Sequence, residues 1–573
     1  VTRVSDTDRS LIGRLRQDLL AADYFPDRVT AMLGGQESQQ ALLAGVAVPA
    51  EAALQQAAAA ANTAPARALA TLCAVLQLGA AVRGAQLAAA LPTLTVSGAV
   101  ALGLLRPVDP GMSVTDPATE FVAALSLNPV AVADTFTGGF QEWWLLSDLD
   151  DHLRRGPAAA DFVMGVGGAS RSLLQQAPAT AVQLAADMGT GCGIIALHLA
   201  LRATRVIATD ISERALRFAE LNAVLNQVTN IEFRQGDLFH PFGTDRVDLL
   251  LTNPPFVIEP DSAESLVYRS GSGAGDSLAA QVVSHMAGVL RPGGEAVALV
   301  NWENRWGDSY ASRPAEWLRE AAAVCPNLAA AWVIEREQLS PLGYAQMWAR
   351  DGGLTQGSAA ASAKISKYLQ DFKQRQVASV SLGAVRLRAT QQTALGAAHT
   401  QPGDPQQGAA VADSAVSTNR AQIAAAPLVH ICRERGALAP AKAAGQALTA
   451  TFDTALALAQ LSDTELLEHT LLVANSVVEQ RIHNPGAADP QQLVLLNSAP
   501  FMQHHSADTL LTAAVGACDG ELTVAQIVGA LAQIFEADPA AVIAELLPQL
   551  RDLAWLGFLR LPGTEPPAAP DSR

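Results

Sequence analysis

The chain has 573 residues, which at roughly 150 residues per domain predicts three or four domains. Its 38 basic and 55 acidic residues leave a formal charge of −17, with 16% charged and 50% apolar residues. That balance excludes a disordered chain, a collagen and a disulfide scaffold. It also argues against a general nucleic-acid coat, which needs a large positive field, while a local basic groove remains open.

The five cysteines, Cys73, Cys192, Cys325, Cys432 and Cys518, form no CxxC pair. A structural zinc or a redox dithiol is therefore not expected, and a reducing, cytoplasmic setting is. The opening residues Arg3, Asp6, Asp8 and Arg9 precede no apolar core, so no signal peptide is read there. The uncharged span from Gly84 to Leu105 invites a membrane reading, but Pro92, Thr93, Thr95 and Ser97 interrupt it. Two short buried helices around a turn fit it better.

In chain order, Arg9–Ala22 carries apolar residues at helical spacing, and Pro65–Val82 is a second helix with its proline at the start. Gln86–Leu91 and Val96–Leu102 follow, then the extended turn Gly103–Pro107. Three short helices and a turn fit a winged-helix module or a helical cap, so residues 1–115 are expected to form a helical, winged-helix-like domain. Residues 116–390 form the next, with a core at 162–336 and an edge strand at 380–388. Its apolar runs Val182–Asp187, Val206–Asp210, Ile231–Arg234, Val247–Thr252 and Glu295–Asn301 read as strands. Gly193–Arg202, Glu213–Leu225 and Ser277–Leu290 read as the helices between them. Such strands mean a parallel sheet covered on both faces. Trp332–Arg336 and Val380–Arg388 predict an antiparallel hairpin at one edge, with Gln338–Gln376 inserted in it. Residues 391–420, rich in Ala, Gln, Gly, Ser and Thr, read as a linker. Residues 421–562 read as a second helical, winged-helix-like domain, from Ala507–Cys518, Thr523–Phe535 and Pro539–Leu553 with a break at Pro548. Residues 563–573 read as a disordered tail.

The chemistry is concentrated between residues 187 and 256. Asp187, Gly189, Thr190, Gly191, Cys192 and Gly193 lie where a strand gives way to a helix. Glycines there let the backbone turn sharply and approach a ligand. A dinucleotide site wants G-x-G-x-x-G, whereas this loop is G-x-G-x-G with an acid two residues ahead. A carboxylate at Asp187 would repel a pyrophosphate but suits the ammonium group of S-adenosyl-L-methionine, whose carboxylate can take loop N–H groups. Asp210, followed by Ile211, ends the next strand, where an acid can accept both ribose hydroxyls. Asp237 and Leu238 follow the third strand, placed for an adenine amino group. Asn253-Pro254-Pro255-Phe256 follows the fourth. Its prolines stiffen a loop at the sheet's carboxyl edge. The Asn253 side-chain oxygen and the Pro254 carbonyl suit a planar NH₂ group, which Phe256 can stack upon.

These ordered motifs resemble the class I S-adenosylmethionine-dependent methyltransferases of the N-P-P-F/Y type, the group of the release-factor glutamine and ribosomal RNA guanine-amine methyltransferases. The resemblance covers Phe162–Arg388 and implies a Rossmann-like, seven-stranded α/β core. It also implies cofactor at Asp187–Gly193 and Asp210 and an acceptor at Asn253–Phe256. Ala274-Gly275-Asp276-Ser277-Leu278 is similar to the glutamine-methylating group, and Val257 replaces a histidine frequent in the guanine-amine group. Gly165–Ser170 and the overall layout resemble actinobacterial members.

Lys364, Lys367, Lys373, Arg375, Arg386 and Arg388 against the single Asp371 offer an RNA-contacting patch or a solvated face. Trp143-Trp144 with Asp148, Asp150 and Asp151 fit packing at a domain junction better than a cap over the site. His504, His505 and Asp508 lack the further ligand a zinc site needs, so no metal is expected. The expected activity is N-methylation of a planar nitrogen in the translation machinery, either an RNA (rRNA or tRNA) base or a protein glutamine. The alternative is a non-catalytic S-adenosylmethionine-binding regulator. No membrane partner is expected.

Overall fold

A computed structural model describes residues 4–154, 156, 158–159, 161–260, 275–351, 354, 357–390, 426–486 and 488–563. The expected linker at 391–420 and nearly all of the tail at 563–573 lie outside the described residues, as does Ala274.

The chain begins with α1 (Asp6–Ala21), whose first turn is closed by a reciprocal Ser5–Asp8 capping box. Next come α2 (Pro26–Met32), α3 (Gln36–Leu43), α4 (Val48–Ala60) and α5 (Ala64–Leu72). The helix expected over Pro65–Val82 stops earlier: after Leu72 it widens into a π turn, Cys73–Gln77, and Gly79 at φ +63° ends it. Then follow β1 (Val82–Arg83), α6 (Gly84–Ala90), α7 (Val96–Ala101), β2 (Leu105–Pro107) and β3 (Glu120–Ala123). The three strands form an antiparallel sheet in the order β1-β3-β2, so this unit runs beyond residue 115. The uncharged span turns one face into its core. Leu87, Leu91 and Leu94 are core residues, and the buried Asp18 of α1 accepts from the N–H groups of Thr93 and Leu94. Among the described residues no helix is long and apolar enough to cross a membrane.

A hairpin, β4 (Ser126–Ala133) and β5 (Phe140–Ser147), and α8 (Gly168–Gln176) lead into the central sheet. That sheet is built from β6 (Val182–Met188), α9 (Ile194–Leu199), β7 (Ala203–Asp210), α10 (Glu213–Leu225), β8 (Ile231–Gln235) and β9 (Val247–Thr252). It continues with α11 (Ser277–His285), β10 (Leu290–Arg305), α12 (Ser312–Val324) and β11 (Leu328–Leu339). The insertion α13 (Pro341–Asp351) and α14 (Ala359–Gln374) precedes β12 (Val377–Ala389) and β13 (Leu428–Arg433). The strand order is β13-β11-β12-β10-β9-β6-β7-β8. Strands β6 to β10 are mutually parallel, and β12 runs antiparallel to both β10 and β11. The sheet has eight strands where seven were expected. The extra strand, β13, pairs in parallel with β11, so the β11–β12 hairpin is not at the edge.

The C-terminal unit contains α15 (Ala441–Gln460), α16 (Asp463–Glu468), β14 (Thr470–Val473), β15 (Val477–Ile482), β16 (Gln492–Asn497) and β17 (Gln503–Ala507). It ends with α17 (Thr509–Gly516), β18 (Asp519–Thr523), α18 (Val524–Ile534), α19 (Pro539–Trp555) and β19 (Leu559–Arg560). It is therefore not simply helical, and holds two three-stranded sheets, β18-β14-β19 and β15-β16-β17. Helix α19 runs through Pro548 without a break, clamped by buried Leu546, Leu547, Leu550 and Leu553. Leu448, Phe452 and Trp555 pack this unit on Ala330, Trp332 and Ile334 of β11. Helix α15 also lies close against the hairpin, because a Cβ at Gly445 would stand 2.5 Å from Thr135 Cγ2.

Candidate cofactor and acceptor site

Strand β6 lies between β7 and β9, so the chain leaves it in opposite directions on its two sides. Ligands of open α/β sheets bind outside the carboxyl ends of strands at such a switch point. The loops that follow β6 and β9 are the glycine loop and the N-P-P-F loop. Thr252 Oγ1, donating to the Met188 carbonyl at 2.9 Å, ties the two strand ends together. A Cβ on Gly189 would come within 3.9 Å of the Asn253 carbonyl, so the loops are adjacent.

Gly189, Gly191 and Gly193 have φ of +76°, +53° and +89°, a region that side chains disfavour. At Gly193 space is limiting as well, since a Cβ would stand 3.0 Å from the Ala219 backbone of α10. The loop amides are largely committed. Gly189 and Thr190 donate to the Thr209 carbonyl, Gly191 to Asp210 and Gly193 to the Thr190 carbonyl. The expectation that loop N–H groups take a ligand carboxylate therefore does not extend to these four.

Asp187 is fully buried. Its Oδ2 accepts from Thr190 Oγ1 at 2.6 Å and from the Ala196 N–H at 3.0 Å, while Oδ1 is buried without a hydrogen-bond partner among the described residues. Burial pushes this carboxyl up to about 7, against the pull of those two donors. A buried acceptor with no donor is costly unless a ligand satisfies it. An ammonium group fits. Asp210 accepts from the Ser212 N–H at 2.9 Å and the Gly191 N–H at 3.0 Å. Each carboxylate oxygen keeps a second lone pair for a hydroxyl. Burial raises the Asp210 pKa, partly offset by those amides. Beside it Ile211 is 55% exposed, an apolar face at the rim. Asp237 is exposed, and Leu238 is half-buried with φ +43°. Cys192 is buried, and burial pushes its thiol up to about 11, so it is no nucleophile.

On the acceptor side, Pro254 is buried and Asn253, Pro255 and Phe256 are half-buried, with Phe256 packed on the main core. Asn253 Nδ2 lies 3.4 Å from Ser170 Oγ, in the first turn of α8. Asn253 Oδ1 is buried and has no hydrogen-bond partner among the described residues. An amide fixed through its nitrogen end and bare at its oxygen is an acceptor waiting for a donor.

Sequence reasoning did not single out Ser170 as a contact of Asn253, or Asn222, Asn301 and Tyr344. Asn222 Nδ2 donates to the Cys192 carbonyl at 2.9 Å. Its signal was available, as a carboxamide on the buried face of an amphipathic helix. Tyr344 and Asn301 lie far along the chain and carried none.

The basic patch is not one. Arg386 is buried and pairs with Glu295 at 3.1 Å, and Arg388 pairs with Glu295 at 2.8 Å and Asp453 at 2.9 Å. Arg375 pairs with Glu303 and Asp371, and Lys364 with Glu259 at 3.8 Å. Alternate residues of a sheet strand face inward, so a run of cations along β12 reaches internal carboxylates. Lys367 and Lys373 are the exposed remainder. The two tryptophans pack: Trp143 Nε1 donates to His198 Nε2 at 3.0 Å and Trp144 Nε1 to the Tyr24 carbonyl at 2.6 Å. Asp148 and Asp150 are likewise engaged, with Arg214 and with Ser126 and Asn128. Asp276 accepts from the Glu303 N–H at 3.1 Å and pairs with Arg313.

Residues 164–304 match a family model described as the methyltransferase small domain. Residues 21–115 match a domain of unknown function, DUF7059. The release factor glutamine methyltransferase of Aliivibrio fischeri is 40% identical over 74 residues, 12% of this chain and 26% of that protein. Its counterpart from Xylella fastidiosa is 34% identical over 128 residues, 21% and 46% of the two chains. That of Moorella thermoacetica is 39% identical over 120 residues, 19% and 42%. The chain thus spans less than half the length of these relatives. Among solved structures, the YcgJ protein of Bacillus subtilis overlays 39% of this chain and 98% of its own at 17% identity, with a TM-score of 0.26.

Proposed function

We propose that this chain, which carries a class I S-adenosylmethionine-dependent methyltransferase domain, methylates a planar amide nitrogen, a glutamine side chain of a translation-related protein. One observation carries the reading: the Asn253 side-chain oxygen is buried and, among the described residues, bare, in a loop whose backbone lies beside Gly189. When bound, S-adenosylmethionine supplies an electrophilic methyl group. The chain's own residues bind and aim. Asp187 Oδ1 would take the ammonium group, and the spare lone pairs of Asp210 the ribose hydroxyls. Ile211 and Leu238 would flank the flat base, with Asp237 near its amino group. Asn253 and the Pro254 carbonyl would hold the two hydrogens of the acceptor NH₂, turning its lone pair toward the methyl group. Phe256 would stack on the acceptor plane. The gain is in positioning.

Two things favour a protein amide over an RNA base. The relatives that match are release factor glutamine methyltransferases by name. Four of the six basic side chains of the candidate RNA patch are held in ion pairs, in a chain of net charge −17. We read the N-terminal unit, through β3, and the C-terminal unit, from α15 onward, as winged-helix-like supports. The order α5, β1, α6, α7, β2, β3 supports this for the first, and the sheet β18-β14-β19 beside α17–α19 for the second. A non-catalytic regulator that only binds cofactor has no use for a bare buried acceptor at Asn253.

The test is transfer of a tritiated methyl group from labelled cofactor into a lysate of cells lacking this protein, divided between ribonuclease and protease. Label lost to protease and kept through ribonuclease is expected. Label lost to ribonuclease would move the acceptor to RNA, and no label above background would remove the activity.

A further inference from the structure

The insertion between β11 and β12 has its own small core. Ile258, Tyr344, Ala345, Tyr368, Phe372, Val377 and Val380 are all buried and cluster apart from the other cores. Six of these come from the insertion or the strand it returns to. The remaining one, Ile258, belongs to the acceptor loop, two residues beyond Phe256. The loop has therefore been drawn into the insertion's core. Two polar ties reinforce this. The Tyr344 hydroxyl of α13 accepts from the Ile258 N–H at 2.9 Å, and Lys364 of α14 lies 3.8 Å from Glu259. The same hydroxyl accepts from Asn301 Nδ2 at 3.1 Å, and Asn301 is buried on β10, the neighbour of β9. One oxygen atom thus joins the insertion, the acceptor loop and the sheet.

We propose that α13 and α14 clasp the acceptor loop and that Tyr344 is a positioning residue for methyl transfer. The prolines stiffen the loop at its upstream end, directly after β9. Its downstream end is held by Tyr344 and the apolar cluster. Both lone pairs of the hydroxyl are used, so a phenylalanine fills the space and holds neither donor. Burial raises the hydroxyl's pKa far above the physiological range, so it stays protonated and is no base. Its contribution is geometric: where Asn253 stands relative to the nitrogen it aims.

The inference rests on the methyl-transfer reading, and its test separates the two. Tyr344→Phe is compared with the full-length wild type in three measurements. Hydrogen exchange at the Ile258 amide, without cofactor, should speed up once its acceptor is gone. Cofactor affinity by calorimetry should stay within about twofold, since Tyr344 touches no cofactor-binding residue. Single-turnover methyl transfer into the lysate acceptor should fall by roughly tenfold or more, because misplacement of about 1 Å costs up to ~100-fold. Lys364→Met, which breaks the second, longer tie, should lower transfer by less while leaving cofactor affinity alone. Wild-type transfer with an unimpaired Tyr344→Phe overturns the positioning role alone. Equal losses of cofactor affinity and transfer also overturn it, as a merely structural effect. A wild type that transfers nothing overturns the methyl-transfer reading and the positioning role with it, while the exchange rate at Ile258 still decides the clasp.

Discussion

The side-chain nitrogen of Asn222 stands 2.9 Å from the carbonyl oxygen of Cys192, so helix α10 holds the glycine loop from behind. The same carboxamide pairs with both backbone groups of Leu146, at 2.7 and 2.9 Å, as a neighbouring strand would. One turn later Asn226 does likewise with Trp144, at 3.0 and 2.8 Å. The two asparagines close the outer edge of β5, but only Asn222 reaches the loop. Asn222→Ala and Asn226→Ala should each lower stability by about 1–3 kcal/mol in urea unfolding, because buried groups lose their partners. Calorimetry should then show weakened S-adenosylmethionine binding for Asn222→Ala and near-wild-type binding for Asn226→Ala.

Cofactor affinity should depend on pH through Asp187. Its carboxyl is raised by burial to about 7, and only the ionised form attracts an ammonium group. Below that pH, affinity should fall by up to about tenfold per unit; above about 8 the ligand's own amine loses its proton. For stability without cofactor the sign is opposite. A carboxyl whose folded pKa is raised from the usual 3.8 to about 7 adds stability that is complete below 3.8 and lost as pH rises through 7. Asp187→Asn should bind weakly, with little pH dependence between 5 and about 7. Titration calorimetry across that range decides it.

Asp210 caps the loop at Gly191 and, on the proposed reading, would also take the ribose hydroxyls. Asp210→Ala should cost about 1–3 kcal/mol in cofactor affinity, the price of leaving buried hydroxyls unpaired. Unchanged affinity in both Asp187→Ala and Asp210→Ala would remove the basis of the cofactor site.

Asn253 should matter to turnover and not to cofactor binding. Asn253→Ala should bind S-adenosylmethionine as wild type does and lose at least ~100-fold in single-turnover transfer. Asn253→Asp should be milder, since a carboxylate still accepts from the amine. Phe256→Ala should weaken acceptor binding by about 1–3 kcal/mol if the acceptor is a nucleobase, and less for an amide. Full turnover in Asn253→Ala would point to an oxygen or carbon acceptor.

Glu295 holds two arginines, one of them almost wholly inside the protein. Glu295→Ala should destabilise by about 3–5 kcal/mol, because it strands a buried charge. Adding Arg386→Met should recover part of that loss. Chemical denaturation of the single and double variants measures both.

The features legible from the residues alone are local. Helix α10 begins and ends at Glu213 and Leu225, where its apolar spacing begins and ends. Strands β6, β7 and β9 end at Met188, Asp210 and Thr252, on or next to Asp187, Asp210 and Asn253: glycine follows β6, the N-cap Ser212 follows β7 after one residue, and Asn-Pro follows β9. The order of those motifs along a doubly wound chain was enough to bring them to one edge. Features that depend on distant partners were set only by the folded chain. The strand Leu428–Arg433 exists as the eighth of the sheet because β11, about 100 residues earlier, offers it an open edge. Arg386 looked like a surface cation, and became a buried one, because Glu295 arrives on the adjacent strand from 91 residues away. Tyr344 had no motif at all, and its role comes from one hydroxyl meeting the Ile258 amide 86 residues upstream. Periodicity and turn chemistry act over a few residues, whereas the pairing of a buried charge or hydroxyl is set only when the chain closes on itself.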